Sequence, residues 1–103
     1  MGNVHDKLVS TLEDKLGLYY PSSNIETLVE YSCGELDILI IKGKEAAVFE
    51  IKSSDSYRNR RKAYTQLEKA SKKYWRLKKK EFYGYYCYWT DKTHTDYNIE
   101  RLI

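Results

Sequence analysis

Two periodicities alternate along the chain, and each change from one to the other marks an element. Between residues 4 and 16, Val4, Leu8, Leu12 and Leu16 recur at helical spacing, and Gly17 stands where such a helix would be capped. Pro21, Ser22, Ser23 and Asn24 form a turn cluster. Three strand-like runs follow at residues 25–31, 36–41 and 46–51, separated by Cys33-Gly34 and by Lys42-Gly43-Lys44. Breaks this short suit a meander joined by hairpins. Helical spacing returns over residues 57–79, where Ala63, Leu67, Ala70, Tyr74 and Leu77 make one apolar stripe. Residues 82–89 carry aromatics on both alternating faces, as a strand covered on both sides would. A short last strand is expected near residues 97–102. The order α-β-β-β-α-β predicts an α/β domain of two or three layers, with a mixed central sheet and flanking helices.

At 103 residues the chain suits one domain, residues 1–103, with a single core. Hydrophobic residues make up 42% and charged residues 32%, a globular balance and not a disordered one. No apolar run approaches the roughly 20 residues that span a bilayer, and the longest, residues 36–41, is interrupted by Asp37. Residues 1–6 lack the basic-then-apolar layout of a signal peptide. The expectation is an intracellular, cytoplasmic protein with no membrane partner. Cys33 and Cys87 are far apart, with no Cys or His at ligand spacing, which argues against structural zinc. Two half-buried thiols are expected, a disulfide being the alternative.

Charge changes the picture more than composition does. Residues 58–80 hold eleven basic side chains (Arg58, Arg60, Arg61, Lys62, Lys69, Lys72, Lys73, Arg76, Lys78, Lys79 and Lys80) and one acid, Glu68. That segment is net +10 in a chain of net +3, so the remainder is net −7. Such a division suggests a polyanion, nucleic acid first; a solvated lysine-rich helix face is the other reading.

Three residues carry candidate chemistry. Asp37 lies inside Leu36-Asp37-Ile38-Leu39-Ile40-Ile41, where a buried carboxylate without a partner would cost several kcal/mol, ~ the penalty for desolvating an ion. Glu50 and Lys52 end the run Ala46-Ala47-Val48-Phe49-Glu50-Ile51-Lys52. Residues two apart on a strand share a face, so both heads emerge together while Phe49 and Ile51 face core. A hairpin through Lys42-Gly43-Lys44 would bring Asp37 beside Glu50. Adjacent carboxylates repel, and a hard divalent cation relieves that at neutral pH. Lys52 beside such an ion could orient a water or stabilise charge developing on a phosphate.

Gly34-Glu35-Leu36-Asp37-Ile38-Leu39-Ile40 followed by Val48-Phe49-Glu50-Ile51-Lys52-Ser53 resembles the PD-(D/E)xK nuclease superfamily. The spacing and element order look most like the archaeal Holliday junction resolvases. The likeness spans residues 4–89, although only the Asp and Glu-x-Lys motifs are specific. It implies a restriction-endonuclease-like core and a Mg²⁺-dependent DNA endonuclease, with Mn²⁺ able to substitute. Asp37 and Glu50 would bind the metal, Ile51 would lend its backbone carbonyl, and Lys52 would be catalytic. A homodimer is implied too, because a symmetric junction offers two strands to cut. Two departures stand out. Leu36 replaces the proline that usually precedes the Asp, and His5 occupies the place of a glutamate near the start of the first helix. His5 is one candidate for the extra ligand and Glu13, two turns on, the other.

Other positions are auxiliary. Relatives of the RecB nuclease type carry a helical Gln followed four residues later by Tyr; here Gln66 is followed by Ala70. A RecB-like exonuclease or single-strand nuclease is therefore the alternative enzyme, and a non-catalytic nucleic-acid-binding protein on a nuclease fold is the alternative of another class. Ser53 and Ser54 are candidate phosphate donors or turn caps. Arg58, Arg60, Arg61, Lys62, Lys69, Lys72 and Lys73 are candidate backbone contacts, and Tyr57 and Tyr64 could stack on an unpaired base.

Overall fold

Local chemistry sets the ends of each element. The computed structural model describes residues 3–31, 34–78 and 81–103; the expectations for Cys33, Lys79 and the Tyr74 and Leu77 side chains lie outside what it describes. The first helix, α1, runs Val4–Leu16, and the Asn3 side chain caps it by accepting the Asp6 N–H at 2.7 Å. Gly17 occupies the C-cap but is right-handed, with φ −61°. The helix is closed instead by a turn in which Leu18, Tyr19 and Tyr20 donate back to the Lys15 and Leu16 carbonyls. A short 3₁₀ turn, Ser22–Asn24, leads into the sheet.

Five strands follow: β1 Ile25–Tyr31, β2 Gly34–Lys42, β3 Glu45–Lys52, β4 Glu81–Trp89 and β5 Tyr97–Arg101. The second helix, α2, spans Tyr57–Lys78 between β3 and β4. The sheet order is β1-β2-β3-β4-β5, antiparallel throughout except for the β3–β4 pair that α2 crosses between. Lys42 pairs with Glu45, which leaves a two-residue turn whose first position, Gly43, has φ +59°. Glycine takes that conformation without steric cost, so the hairpin register is pinned here.

One helix covers each face. Leu8, Val9 and Leu12 of α1 pack on Ile38, Ile40, Phe49, Ile51, Cys87 and Trp89. Leu67 and Ala70 of α2 pack on Leu36, Leu39, Ala46 and Val48, and Ala63 packs with Tyr86 and Tyr88. Each fully buried leucine contributes roughly 1.5–3 kcal/mol. Both faces of β4 are covered, as its aromatic alternation predicts. Cys87 is fully buried, a correction to the half-buried thiol expected. It lies on β4, between β3 and β5, and packs into the core beneath α1. Among the described residues no helix is long and apolar enough to cross a membrane.

Alternation fails at one place. Ile38 and Ile40 face α1 and Leu39 faces α2, yet Leu36, which strict alternation would put with Ile38, packs on the α2 side. The β1–β2 ladder skips the Leu28–Asp37 step, and Leu28 sits in the left-handed region at φ 50°. The β2–β3 ladder runs from Lys42–Glu45 only to Ile38–Phe49 and stops before Asp37 and Glu50. Both neighbours of β2 therefore part from it at the candidate aspartate. A leucine held at positive φ beside such a position is the kind of local strain that surrounding structure must impose.

Candidate active site

Where the ladders open, the backbone groups that would have paired become available to side chains. Asp37 is buried, and its Oδ2 accepts the Ile51 N–H at 2.8 Å while its Oδ1 lies 3.2 Å from His5 Nε2. The carboxylate thus takes the place of the next ladder bond, holding β2 to β3 by a side chain. In extended backbone a residue's N–H and C=O point to the same neighbouring strand. The Ile51 carbonyl accordingly faces the gap beside Asp37.

Glu50, next along β3, is 4% exposed, and its Oε1 has no hydrogen-bond partner among the described residues. Burial first, and then the Asp37 carboxylate, push its pKa up to about 8. An unpartnered buried carboxylate oxygen costs about 1–3 kcal/mol or more when ionised. Lys52 emerges on the same face two residues on and lowers that cost by its charge. Burial, with Asp37 and Glu50 adding to it, also pushes the Cys87 thiol up, leaving it an inert neighbour of the site.

His5 brings α1 to the site. Its Nδ1 lies 3.0 Å from Asp6 Oδ1, so the ring bridges two carboxylates. Burial lowers its pKa, but the Asp6 and Asp37 carboxylates outweigh that and leave it raised. The start of α1 is itself anchored: the Trp89 Nε1–H donates to the Val4 carbonyl at 3.0 Å. Glu13 is exposed and lines no part of this site, a correction to its candidacy as a ligand. Two turns of helix, about 12 Å at 1.5 Å per residue, separate it from His5.

These groups open into a cleft of about 820 Å³ between β2–β3 and the first half of α2. Arg58, Arg61, Lys62, Thr65 and Gln66 line its α2 wall, with Tyr57 at the mouth. Gln66 Nε2 donates to the Glu35 carbonyl at 2.9 Å and ties α2 to the start of β2. Gly34 stands below it at φ +116°, where an added Cβ would lie 2.6 Å from Gln66 Nε2. A side chain there would drive the amide away.

Several expected contacts point elsewhere. Arg60 leaves the cleft to meet Glu100 Oε2 at 2.8 Å and Asp55 Oδ1 at 3.4 Å, and its guanidinium lies 5.1 Å over the Tyr86 ring. Tyr86 in turn donates to Asp55 at 3.0 Å and Tyr88 to Glu100 at 2.7 Å. Ser53 and Ser54 are exposed and outside the cleft. The cap of α2 is Ser56, whose Oγ accepts the Asn59 N–H at 3.0 Å, while the Ser54 carbonyl takes the Asn59 side chain. Tyr64 lies on a neighbouring groove, and Lys69, Lys72 and Lys73 sit further along α2, where Lys72 pairs with Glu68 at 3.5 Å. Sequence reasoning did not reach Glu100, Asp55 or Glu35; nothing in local pattern links residues 55 and 60 to residue 100.

Among the described residues no three His, Cys, Asp or Glu side chains form a closed metal cage. Two carboxylates, a facing carbonyl and open volume nonetheless fit Mg²⁺, which binds through one or two carboxylates and keeps several waters. The orphaned Glu50 oxygen is the acceptor such an ion would satisfy. No family model matches the chain, and no significant match exists among curated proteins or solved structures. The reading of the site therefore rests on its own geometry.

Proposed function

We propose that this protein is a Mg²⁺-dependent DNA endonuclease of the PD-(D/E)xK type on a restriction-endonuclease-like core, Mn²⁺ substituting for Mg²⁺. The single observation that carries the reading is the buried Asp37–Glu50 pair, with one oxygen unpartnered, at the floor of a cleft walled by cations. Asp37, Glu50 and the Ile51 carbonyl would hold the ion, and His5, which lines the same cleft, would orient Asp37, as partners of metal-binding carboxylates do. When bound, Mg²⁺ lowers the pKa of a water and offsets phosphate charge.

The chain's own residues supply the rest. Lys52 projects into the cleft beside Glu50 and can hold a water by its lone pair or meet charge developing on a phosphate oxygen. Arg58, Arg61 and Lys62 face the cleft and bind DNA phosphates, setting the register of the strand to be cut. Lys69, Lys72 and Lys73 extend the cationic side of α2 beyond the cleft and would follow the duplex outward. A homodimer would offer two such clefts to the two strands of a junction. Gln66 on the cleft wall favours the RecB-like exonuclease or single-strand reading as the second choice.

The test is Mg²⁺- and Mn²⁺-dependent cleavage of labelled four-way junction, linear duplex, single-stranded and closed circular DNA, with Glu50→Ala as control. Junction or circle cutting that vanishes in the variant supports the endonuclease. Cutting confined to ends or single strands moves the assignment to the RecB-like enzyme. Tight binding with no cutting of any DNA leaves a binding protein.

A further inference from the structure

The first turns of α2 also carry two tyrosine rings to which the cutting chemistry gives no role. Tyr57, Arg61 and Tyr64 recur at i, i+4 and i+7, so they share one helix face. Tyr57 is 77% exposed and Tyr64 47%, whereas Tyr86 and Tyr88 in the sheet are buried. Arg61 lies 5.7 Å over the Tyr57 ring. With Arg60 and Leu102 they line a groove of about 350 Å³, the small end of the roughly 300–1,000 Å³ range of ligand sites. Arg60 is already held by Glu100 and Asp55, whereas Tyr57, Arg61 and Thr65 line both this groove and the cleft above the carboxylates. The two spaces are one continuous surface turned around the N-terminal end of α2.

Two rings stand largely in water around a groove whose one apolar side chain among its lining residues is Leu102. What complements them is a flat π-face that carries its own negative charge. An unpaired nucleotide supplies both: the base stacks on tyrosine, and its phosphates reach Arg61 and the cleft cations. Bases inside an intact duplex keep their faces stacked on one another and cannot enter.

We infer that this groove is a base-holding notch, and that the enzyme selects DNA carrying an unpaired nucleotide beside the phosphate to be cut, such as a flap, gap or branch. The inference rests on the nuclease reading for the word "cut" but not for the notch itself. Its test is binding in buffer without divalent ions, where no cleavage occurs. The probes are a duplex bearing a single-stranded flap with 2-aminopurine next to the branch, and the same duplex fully paired. The wild-type protein is expected to quench the flap 2-aminopurine and to bind the flap better than the duplex. In Tyr57→Ala/Tyr64→Ala that ratio should fall by about tenfold or more, the effect of losing one or two stacking platforms. Tyr57→Phe/Tyr64→Phe should keep it, because stacking needs the ring and not the hydroxyl.

No quenching by saturating wild-type protein overturns the notch whatever the variants do. An unchanged ratio in a folded alanine variant overturns it too, as does equal loss in the phenylalanine variant. Glu50-dependent cutting with an unchanged ratio removes the notch and leaves the nuclease. A ratio that collapses in a protein that cuts no DNA does the reverse.

Discussion

The molecule holds two clusters of carboxylates, one at the surface and one buried, and they are treated in opposite ways. Glu100 and Asp55 sit at the seam of α2, β4 and β5, and every charge there is answered. Arg60 bridges them, Tyr86 and Tyr88 donate to them, and Glu100 is held below the usual carboxylate range, chiefly by Arg60. Asp37 and Glu50 lie deeper, face each other, and leave Glu50 Oε1 unanswered. The first cluster is complete as it stands and fastens the loop after Lys52 to the sheet. The second leaves one acceptor open, the one that the proposed Mg²⁺ would satisfy. An electrostatic deficit of this kind in a cleft marks a candidate functional site.

The comparison can be broken most decisively at Glu50. Glu50→Ala should lower cleavage by at least ~100-fold, the scale of losing one group that stabilises transition-state charge. Glu100→Gln should act on the melting temperature instead. Retained cutting in Glu50→Ala, measured against wild type on the same junction, would erase the distinction between the clusters.

A second contrast is in pH. The Glu50 pKa is raised to about 8 in the folded protein from an ordinary 4.5. The folded state thus binds a proton that the unfolded chain has released between those values. Without divalent ions, stability is full below the ordinary value and declines as pH rises toward 8, by at most about 1.4 kcal/mol per unit. Glu50→Gln should flatten that slope in denaturant titrations with chelator present. Mg²⁺ needs the ionised carboxylate, so its stabilising effect should be larger above pH 8 than in the ordinary glutamate range. A Mg²⁺ effect that shrinks with rising pH would count against metal binding at Glu50.

Smaller effects sharpen the structural cluster. Tyr86→Phe deletes the bond to Asp55 and should cost about 1 kcal/mol in urea unfolding, with the slope of the transition unchanged. Smallest is a difference between near neighbours. Arg58→Ala should reduce the dependence of log K on log salt by about one contact when DNA binding is titrated, whereas Arg60→Ala should leave that slope alone and lower stability. Identical salt slopes would mean that the two arginines are not divided as their contacts divide them.

Much of the fold was legible because periodicity and turn chemistry agree: both helices and all five strands begin and end within two residues of the expected places. Asp37 stood out because a charge interrupts an apolar run, and Glu50 with Lys52 because alternation puts their heads on one face. His5 was placed by register in the first helix, yet register alone left Glu13 equally open; packing of Leu8, Val9 and Leu12 into the core decides between them. What was not legible is long-range direction. Arg60 sits in a run of basic residues identical in kind to its neighbours, and only the pairing of β5 with β4 brings Glu100 within reach of it. The break in alternation at Leu36 likewise coincides with the skipped Leu28–Asp37 step and with a positive φ at Leu28 that no residue type announces.

The bond from the Trp89 indole to the Val4 carbonyl makes the protein its own optical gauge. The indole is nearly shielded from water, and Lys7 of the same helix lies 5.5 Å over its ring. His5 follows Val4 directly, so lifting the N-terminal turn from Asp37 should also break the indole's bond and expose its ring. In a Trp75→Phe background, the emission wavelength of Trp89 reads in real time whether that turn is seated, with no label attached.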